Sequence, residues 1–224
     1  MRFCFLLLMS GALASAQVHD VHYQGGLIPL NITPTFDRGY LVTYDLDESV
    51  DVYASDGSLR YKASAHGPEG SRAQIRNATV DADGTLAMAV EYPLSCNLPG
   101  LGVIPWGGGG IALFDQAGVE ARFIDTGCDY WTTQVAFGTD HSVWTIGYLG
   151  DASASVRADY LTLRHYSQDG QQVGAFLPGA SFPHPADPHM EPLILPTIGL
   201  WELRVTNEQV ELLLLRANFG SKPI

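Results

Sequence analysis

The sequence predicts an all-β chain, and three observations carry that prediction. Short runs of alternating apolar and polar residues recur along the chain, turn residues separate them at regular distances, and no long segment has helical spacing. The composition agrees, since 24 Gly and 13 Pro supply turns while 46% hydrophobic and 16% charged residues suit a chain that buries a core. At 224 residues there is room for one large β domain or two small ones. Twelve basic residues against 24 acidic ones give a net charge of −12 with no basic cluster, which argues against nucleic acid or an anionic membrane surface as partner.

The N-terminus reads as an address. Arg2 precedes an apolar run over 3–14 that ends in Ala14-Ser15-Ala16, the small-x-small pattern of a signal peptidase site. The run is too short to span a bilayer, which takes roughly 20 residues. Residues 1–16 are therefore expected to be a secretory signal cleaved near Ala16/Gln17, and loss of Arg2 takes the charge from −12 to −13. Residues 17–38 read as an N-terminal extension and 39–224 as the folded domain. No later stretch has the length of a membrane span, so the expected location is secreted or periplasmic. Cys96 and Cys128 are an even pair for an oxidising compartment and are expected to form a disulfide.

Two kinds of hairpin then alternate. One reads apolar strand, acidic turn, apolar strand: NATVDADGTLAMAVEY around Gly84, QVAFGTDHSVWTIGY around His141 and WELRVTNEQVELLLL around Asn207. The other reads VDVYASDGSLRYKAS around Gly57, IALFDQAGVEARFI around Gly118 and LTLRHYSQDGQQVGAF around Gly170. Their flanks alternate as half-buried strands do, and the glycines supply the positive φ of a tight hairpin. Gly57, Gly118 and Gly170 are separated by 61 and 52 residues, so a four-stranded unit recurs at that period. Such a period in an all-β chain predicts stacked four-stranded antiparallel blades of the β-propeller type. A sandwich gives no reason for two hairpin types to alternate in register.

The order Val80-Asp81-Ala82-Asp83-Gly84, followed after a loop by Phe114-Asp115-Gln116-Ala117-Gly118 through Phe123, resembles the blades of NHL-type six-bladed propellers. The resemblance extends as a pattern over roughly residues 40–215. It implies shape and leaves activity open, since such families include scaffolds, ligand-binding domains, lactonases and lyases. The hairpins supply about three blades, with 40–45 a further strand at the start, whereas propellers close with about four to eight. Three readings of this partial or open propeller follow: a truncated ring, a ring completed by two copies, or an open stack. The apolar strand over 210–215 has no outer hairpin to cover it, an edge that predicts self-association.

In such blades the tight turns share one end, and the longer connections, here 64–77, 95–110, 127–132, 149–159 and 179–196, gather at the other. Side chains on long loops over a rigid scaffold are the default binding surface. The candidates there are Arg72 and Arg76 as an anion clamp, Asp129, Tyr130 and Trp131 as an aromatic platform, and Trp106 presented by the flexible run Gly107 to Gly110. Trp144 falls in a strand and reads as core. Competing bland uses are local ion pairs for the arginines and packing between blades for Trp131.

Metal-capable residues are sparse in pattern. His184, Asp187 and His189 are weak candidates that lie among prolines that splay them, with no zinc spacing, so no metal is expected there, and no cofactor is expected for the chain. Asp81 and Asp83 resemble calcium ligands without the rest of an EF-type loop, so a turn-forming role suffices. A free amine at Gln17 would place His19 third, a copper or nickel arrangement that cyclisation of Gln17 would abolish. Asn31 and Asn77 match glycosylation sequons. No Gly-x-Ser-x-Gly elbow is present. The sequence thus favours a non-enzymatic binding module for protein, peptide or glycan, against a metal-assisted hydrolase or lyase whose acid and His side chains would converge within metal-ligand reach.

Overall fold

The computed structural model describes residues 29–35, 38–44, 48–98, 102–104, 107–148, 159–181, 201–206 and 209–214. The first sheet runs through β1 (Pro29–Pro34), β2 (Tyr40–Tyr44), β3 (Ser49–Tyr53) and β4 (Leu59–Ser64). The second comprises β5 (Gln74–Val80), β6 (Leu86–Tyr92), β9 (Gly108–Phe114) and β10 (Glu120–Gly127), with a separate hairpin, β7 (Cys96–Leu98) and β8 (Gly102–Ile104), inserted between β6 and β9. The third is β11 (Trp131–Phe137), β12 (Val143–Tyr148), β13 (Leu161–Tyr166) and β14 (Gln172–Pro178). A two-stranded sheet, β15 (Trp201–Val205) and β16 (Val210–Leu214), lies against β11 and β12. Every pairing is antiparallel.

The middle sheet explains how the blades stack. All seven residues of β6 and all seven of β9 are buried, which only a sheet covered on both faces requires. Leu86, Met88 and Val90 point to the first blade, where Leu41, Val50, Val52, Ala63 and Ala65 meet them. Ala87 and Ala89 point the other way with Ile111 and Leu113, toward Val135, Val143 and Tyr166 of the third blade. Register pairs large with small across the strands: Met88 opposes Ala112, and Ala87 opposes Leu113. Each fully buried Val or Leu contributes about 1.5–3 kcal/mol of hydrophobic stabilisation, so the two interfaces are where most of it resides. Consecutive four-stranded meanders stacked face to face are propeller-type blades, and three are complete among the described residues.

The first blade has one strand more than the sequence reading gave it. β1 lies inside the stretch read as an extension and pairs with β2 from Pro34↔Tyr40 to Pro29↔Tyr44.

Six tight turns repeat one hydrogen-bond pattern. In Thr35–Gly39, Ala54–Ser58, Asp81–Thr85, Asp115–Val119, Gly138–Ser142 and Ser167–Gln171 the first amide donates to the fifth carbonyl and the fourth amide donates to the first carbonyl. The fourth residue has positive φ in each: Arg38, Gly57, Gly84, Gly118, His141 and Gly170. This is the longer hairpin turn with a left-handed closing residue. The turns share one end of the molecule, since Tyr61 donates to the Gly84 carbonyl at 3.2 Å and Arg122 Nη1 reaches the Asp169 carbonyl at 2.5 Å.

Two expected loops are strand instead. Arg76 lies on β5, whose first residue is Gln74. Gly108 to Gly110, read as a flexible presenter, are buried in β9. A Cβ there would strike the Tyr92 ring at Gly108, the Tyr130 carbonyl at Gly109 and the Phe123 ring at Gly110, so the run is glycine because neighbours press on the backbone.

Candidate functional site

At the end opposite the turns, the loop pole, most of the expected ligand contacts are structural. Arg72 pairs with Glu48, and Arg76 with the buried Glu91. The anion clamp is therefore neutralised by carboxylates of this chain. Tyr130 is fully buried, with its hydroxyl 2.8 Å from the Thr162 carbonyl and 3.0 Å from the Thr145 carbonyl, the two acceptors sharing one proton. The Arg164 guanidinium lies 4.0 Å from its ring centroid. Burial raises the Tyr130 pKa well above the ordinary phenol value. Tyr130 is a pillar of the third blade and presents no surface.

Trp131 is half-buried, donates from Nε1 to the Gly107 carbonyl at 2.5 Å and meets Tyr148 edge-on at 5.4 Å. It joins the second blade's connection to the third. Burial, with the Glu91 carboxylate adding to it, pushes Tyr148 up to about 12. Asp129 is exposed, and its carbonyl accepts from Tyr160 at 2.5 Å. Trp106, His184, Asp187 and His189 lie outside the described residues, as do His19 and the signal segment 1–16. Trp144 is only partly buried, stacked on His165 at 4.1 Å and Phe176 at 5.8 Å.

One device on this pole is built beyond what the blades need. Cys96 at the start of β7 and Cys128 between β10 and β11 form the expected disulfide, with Cα atoms 5.5 Å apart. Gly107 returns the hairpin to the sheet, its amide donating to the Leu94 carbonyl and its carbonyl held by Trp131. A Cβ at Gly107 would strike Cys96, so the strap sits directly on the disulfide. Tyr92 below it donates to Asp125, and burial followed by that carboxylate raises the Tyr92 pKa. On this tethered insertion Val103 is 68% exposed and Leu94 36%. In the second blade two extra strands, β7 and β8, stand between its second and third strands.

The turn pole holds a grouping that the sequence reading split apart. Asp81 and Asp83 belong to the β5–β6 turn, and His141 to the β11–β12 turn of the next blade. His141 Nδ1 is 2.5 Å from Asp81 Oδ2 and 3.8 Å from Asp83 Oδ2. Ligand atoms of the three lie within 4.8 Å of one another, the only such trio of His, Cys, Asp or Glu among the described residues. The Asp81 hydrogen bond and charge raise the His141 pKa. Burial pushes Asp83 up, but hydrogen bonds from Thr85 and the His141 charge outweigh it and leave Asp83 below the usual carboxylate range. Asp81 and Asp83 were visible in sequence; His141 was hidden because the contact spans 60 residues. The sequon at Asn77 is in structural use, since Asn77 Oδ1 accepts the Val135 amide at 3.0 Å and ties β5 to β11.

No family model and no curated protein matches the chain. Among solved structures it is similar to YCF48 bound to a D1 peptide, at 17% identity and a TM-score of 0.40 over 67% of this chain and 41% of that one. It is also similar to a protein of unknown function from Bacteroides caccae, at 10% identity and 0.27 over 71% of this chain and 85% of that one. A third is a Thermus thermophilus protein described as an oxidoreductase (glucose dehydrogenase), at 13% and 0.37 over 66% of this chain and 46% of that one. The chain thus spans less than half the length of the first and third of these. No helix among the described residues is long and apolar enough to cross a membrane.

Proposed function

We propose that this chain is a secreted or periplasmic binding module that takes a protein, peptide or glycan partner on the loop pole, with the β7–β8 hairpin as its docking element. The observation that carries the reading is the tethered hairpin, which holds Val103 and Leu94 outward on a strap fixed by Cys96–Cys128 and by Trp131. A contact surface rigid before binding loses less conformational entropy when the partner arrives. Exposed strand edges on a hairpin also accept an extended peptide by main-chain hydrogen bonding. With Arg72 and Arg76 neutralised within the chain, an apolar peptide segment fits this surface better than an anionic one. Asp129 and Trp106, expected on the same pole, belong to the proposed surface; Tyr130 does not. The NHL-like pattern over the β5–β6 and β9–β10 turns, and export by a signal over 1–16, stand with the proposal. Sequencing of the exported protein should begin at Gln17.

Selection of a displayed random-peptide library on the purified protein tests the reading. Apolar peptides should be enriched, and Val103→Asp should abolish their capture while leaving the unfolding midpoint unchanged. Failure to enrich any peptide, or capture indifferent to Val103→Asp, contradicts it.

A second reading, a metal-assisted hydrolase or lyase, is favoured by the Asp81, Asp83 and His141 trio. Three protein ligands that leave a fourth position for water are the plan of catalytic zinc sites. That reading requires ester or lactone turnover that chelation removes and zinc restores. Turnover indifferent to chelation contradicts it.

A further inference from the structure

We propose that Asp81, Asp83 and His141 bind one Zn2+ that clamps the second blade's turn to the third blade's turn, with water in the fourth position. The site lies on the turn pole and stands apart from the binding surface proposed above.

The carboxylates are already held as ligands would be. Asp81 Oδ1 accepts the Ala82 amide at 2.6 Å, and Asp83 Oδ1 accepts the Thr85 amide at 2.9 Å. Each acid therefore has one oxygen fixed by the backbone while the other faces His141 Nδ1, at 2.5 and 3.8 Å. Hydrogen-bonded carboxylates of this kind orient metal ligands and hold them ionised. Asp115 makes the contrast, because in the equivalent outer turn one of its oxygens takes both the Ala117 and Val119 amides, and no imidazole partners it. The turn does not need the Asp81 arrangement to close.

His141 departs from the repeat in the same place. Four of the six tight turns put glycine at the left-handed position and the β1–β2 turn puts Arg38 there, whereas the β11–β12 turn puts an imidazole there and aims it across the blade boundary. Asp81 is buried, while His141 and Asp83 are about half exposed.

Distance and donor type then select the metal. Ligand atoms about 2.0–2.2 Å from a tetrahedral zinc lie about 3.3 Å apart. The observed 2.5 and 3.8 Å bracket that value, and all three ligand atoms lie within 4.8 Å of one another. One imidazole nitrogen with two carboxylate oxygens falls within zinc's donor set, and the imidazole disfavours calcium and magnesium. Calcium wants six to eight oxygens and magnesium a near-ideal octahedron.

The test is titration of the chelator-stripped protein with Zn2+ against a chromogenic competitor, with thermal unfolding alongside. His141→Gly removes the ligand while giving the turn the residue that Gly57, Gly84, Gly118 and Gly170 already supply. Asp83→Asn keeps the Thr85 amide contact and removes the charge. One equivalent of Zn2+ should bind and raise the unfolding temperature, and both variants should lose at least tenfold in affinity and lose that rise. Absence of binding to the unaltered protein, binding unchanged in His141→Gly, or equal competition by Ca2+ would overturn the proposal.

Discussion

At the turn pole six connections repeat one five-residue pattern, whereas at the loop pole a covalently strapped hairpin, a 3-10 turn at Pro68–Gly70 and a short disulfide-bonded link serve the same blades. The difference follows from what each pole must satisfy. A strand pair that reverses within five residues favours one geometry, so the same backbone bonds recur although the side chains of the six turns differ. A connection from the outer strand of one blade to the inner strand of the next crosses the sheet, and it must cap both sheets and satisfy its own amides on the way. Residues that look free on such a loop are therefore often already in use, as Arg72, Arg76, Tyr130 and Trp131 are.

The comparison breaks most visibly at Tyr130. Tyr130→Ala should cost about 3–5 kcal/mol, the range for emptying a large buried aromatic site. Tyr130→Phe should cost about 1–3 kcal/mol for the buried hydrogen bond alone. Urea unfolding reads both, and a near-neutral Tyr130→Ala would return the residue to the surface and to a ligand. Next in size is the strap. Closing 32 residues should stabilise the fold by about 3–4 kcal/mol in the chain-entropy model, so the double Cys96→Ser/Cys128→Ser protein should unfold earlier by that amount.

Substitutions in the tight turns should have smaller effects. Gly118→Ala forces an L side chain to φ 76° and into the Tyr61 ring, and should cost at least the 1–2 kcal/mol of a left-handed residue. His141→Gly in metal-free protein relieves the same conformation and loses a solvent-screened ion pair with Asp81. The two effects should nearly cancel in urea unfolding. A loss of several kcal/mol would mean that the His141–Asp81 contact, and not the turn, holds this pole.

How much of this was legible depends on where the signal lives. The hairpins at Gly57, Gly84, Gly118, His141, Gly170 and Asn207 were readable because strand alternation and turn chemistry are local. The hairpin of β1 and β2 was not, since Pro29 and Pro34 at the two ends of β1 weaken its strand signal and Arg38 takes the position that glycine marks elsewhere, and it left the first blade one strand short. The Cys96–Cys128 bond followed from count and compartment. Gly107 to Gly110 misled because a glycine run reads as freedom, when here it records the pressure of Cys96, Tyr92, Tyr130 and Phe123 on the backbone. The His141 contact with Asp81 was illegible for a different reason, as adjacency of blades is fixed by long-range packing across Ala87, Ala89, Val135 and Val143, which no local pattern announces.

The proposed binding mode has partners meet the loop pole and leave the turn pole free. Hydrogen–deuterium exchange of the purified protein, with and without a selected peptide, measures this directly. Protection confined to 94–104 and 127–131 is the result expected here. Protection of the Asp81–Thr85 and Gly138–Ser142 turns, with 94–104 unchanged, would contradict it.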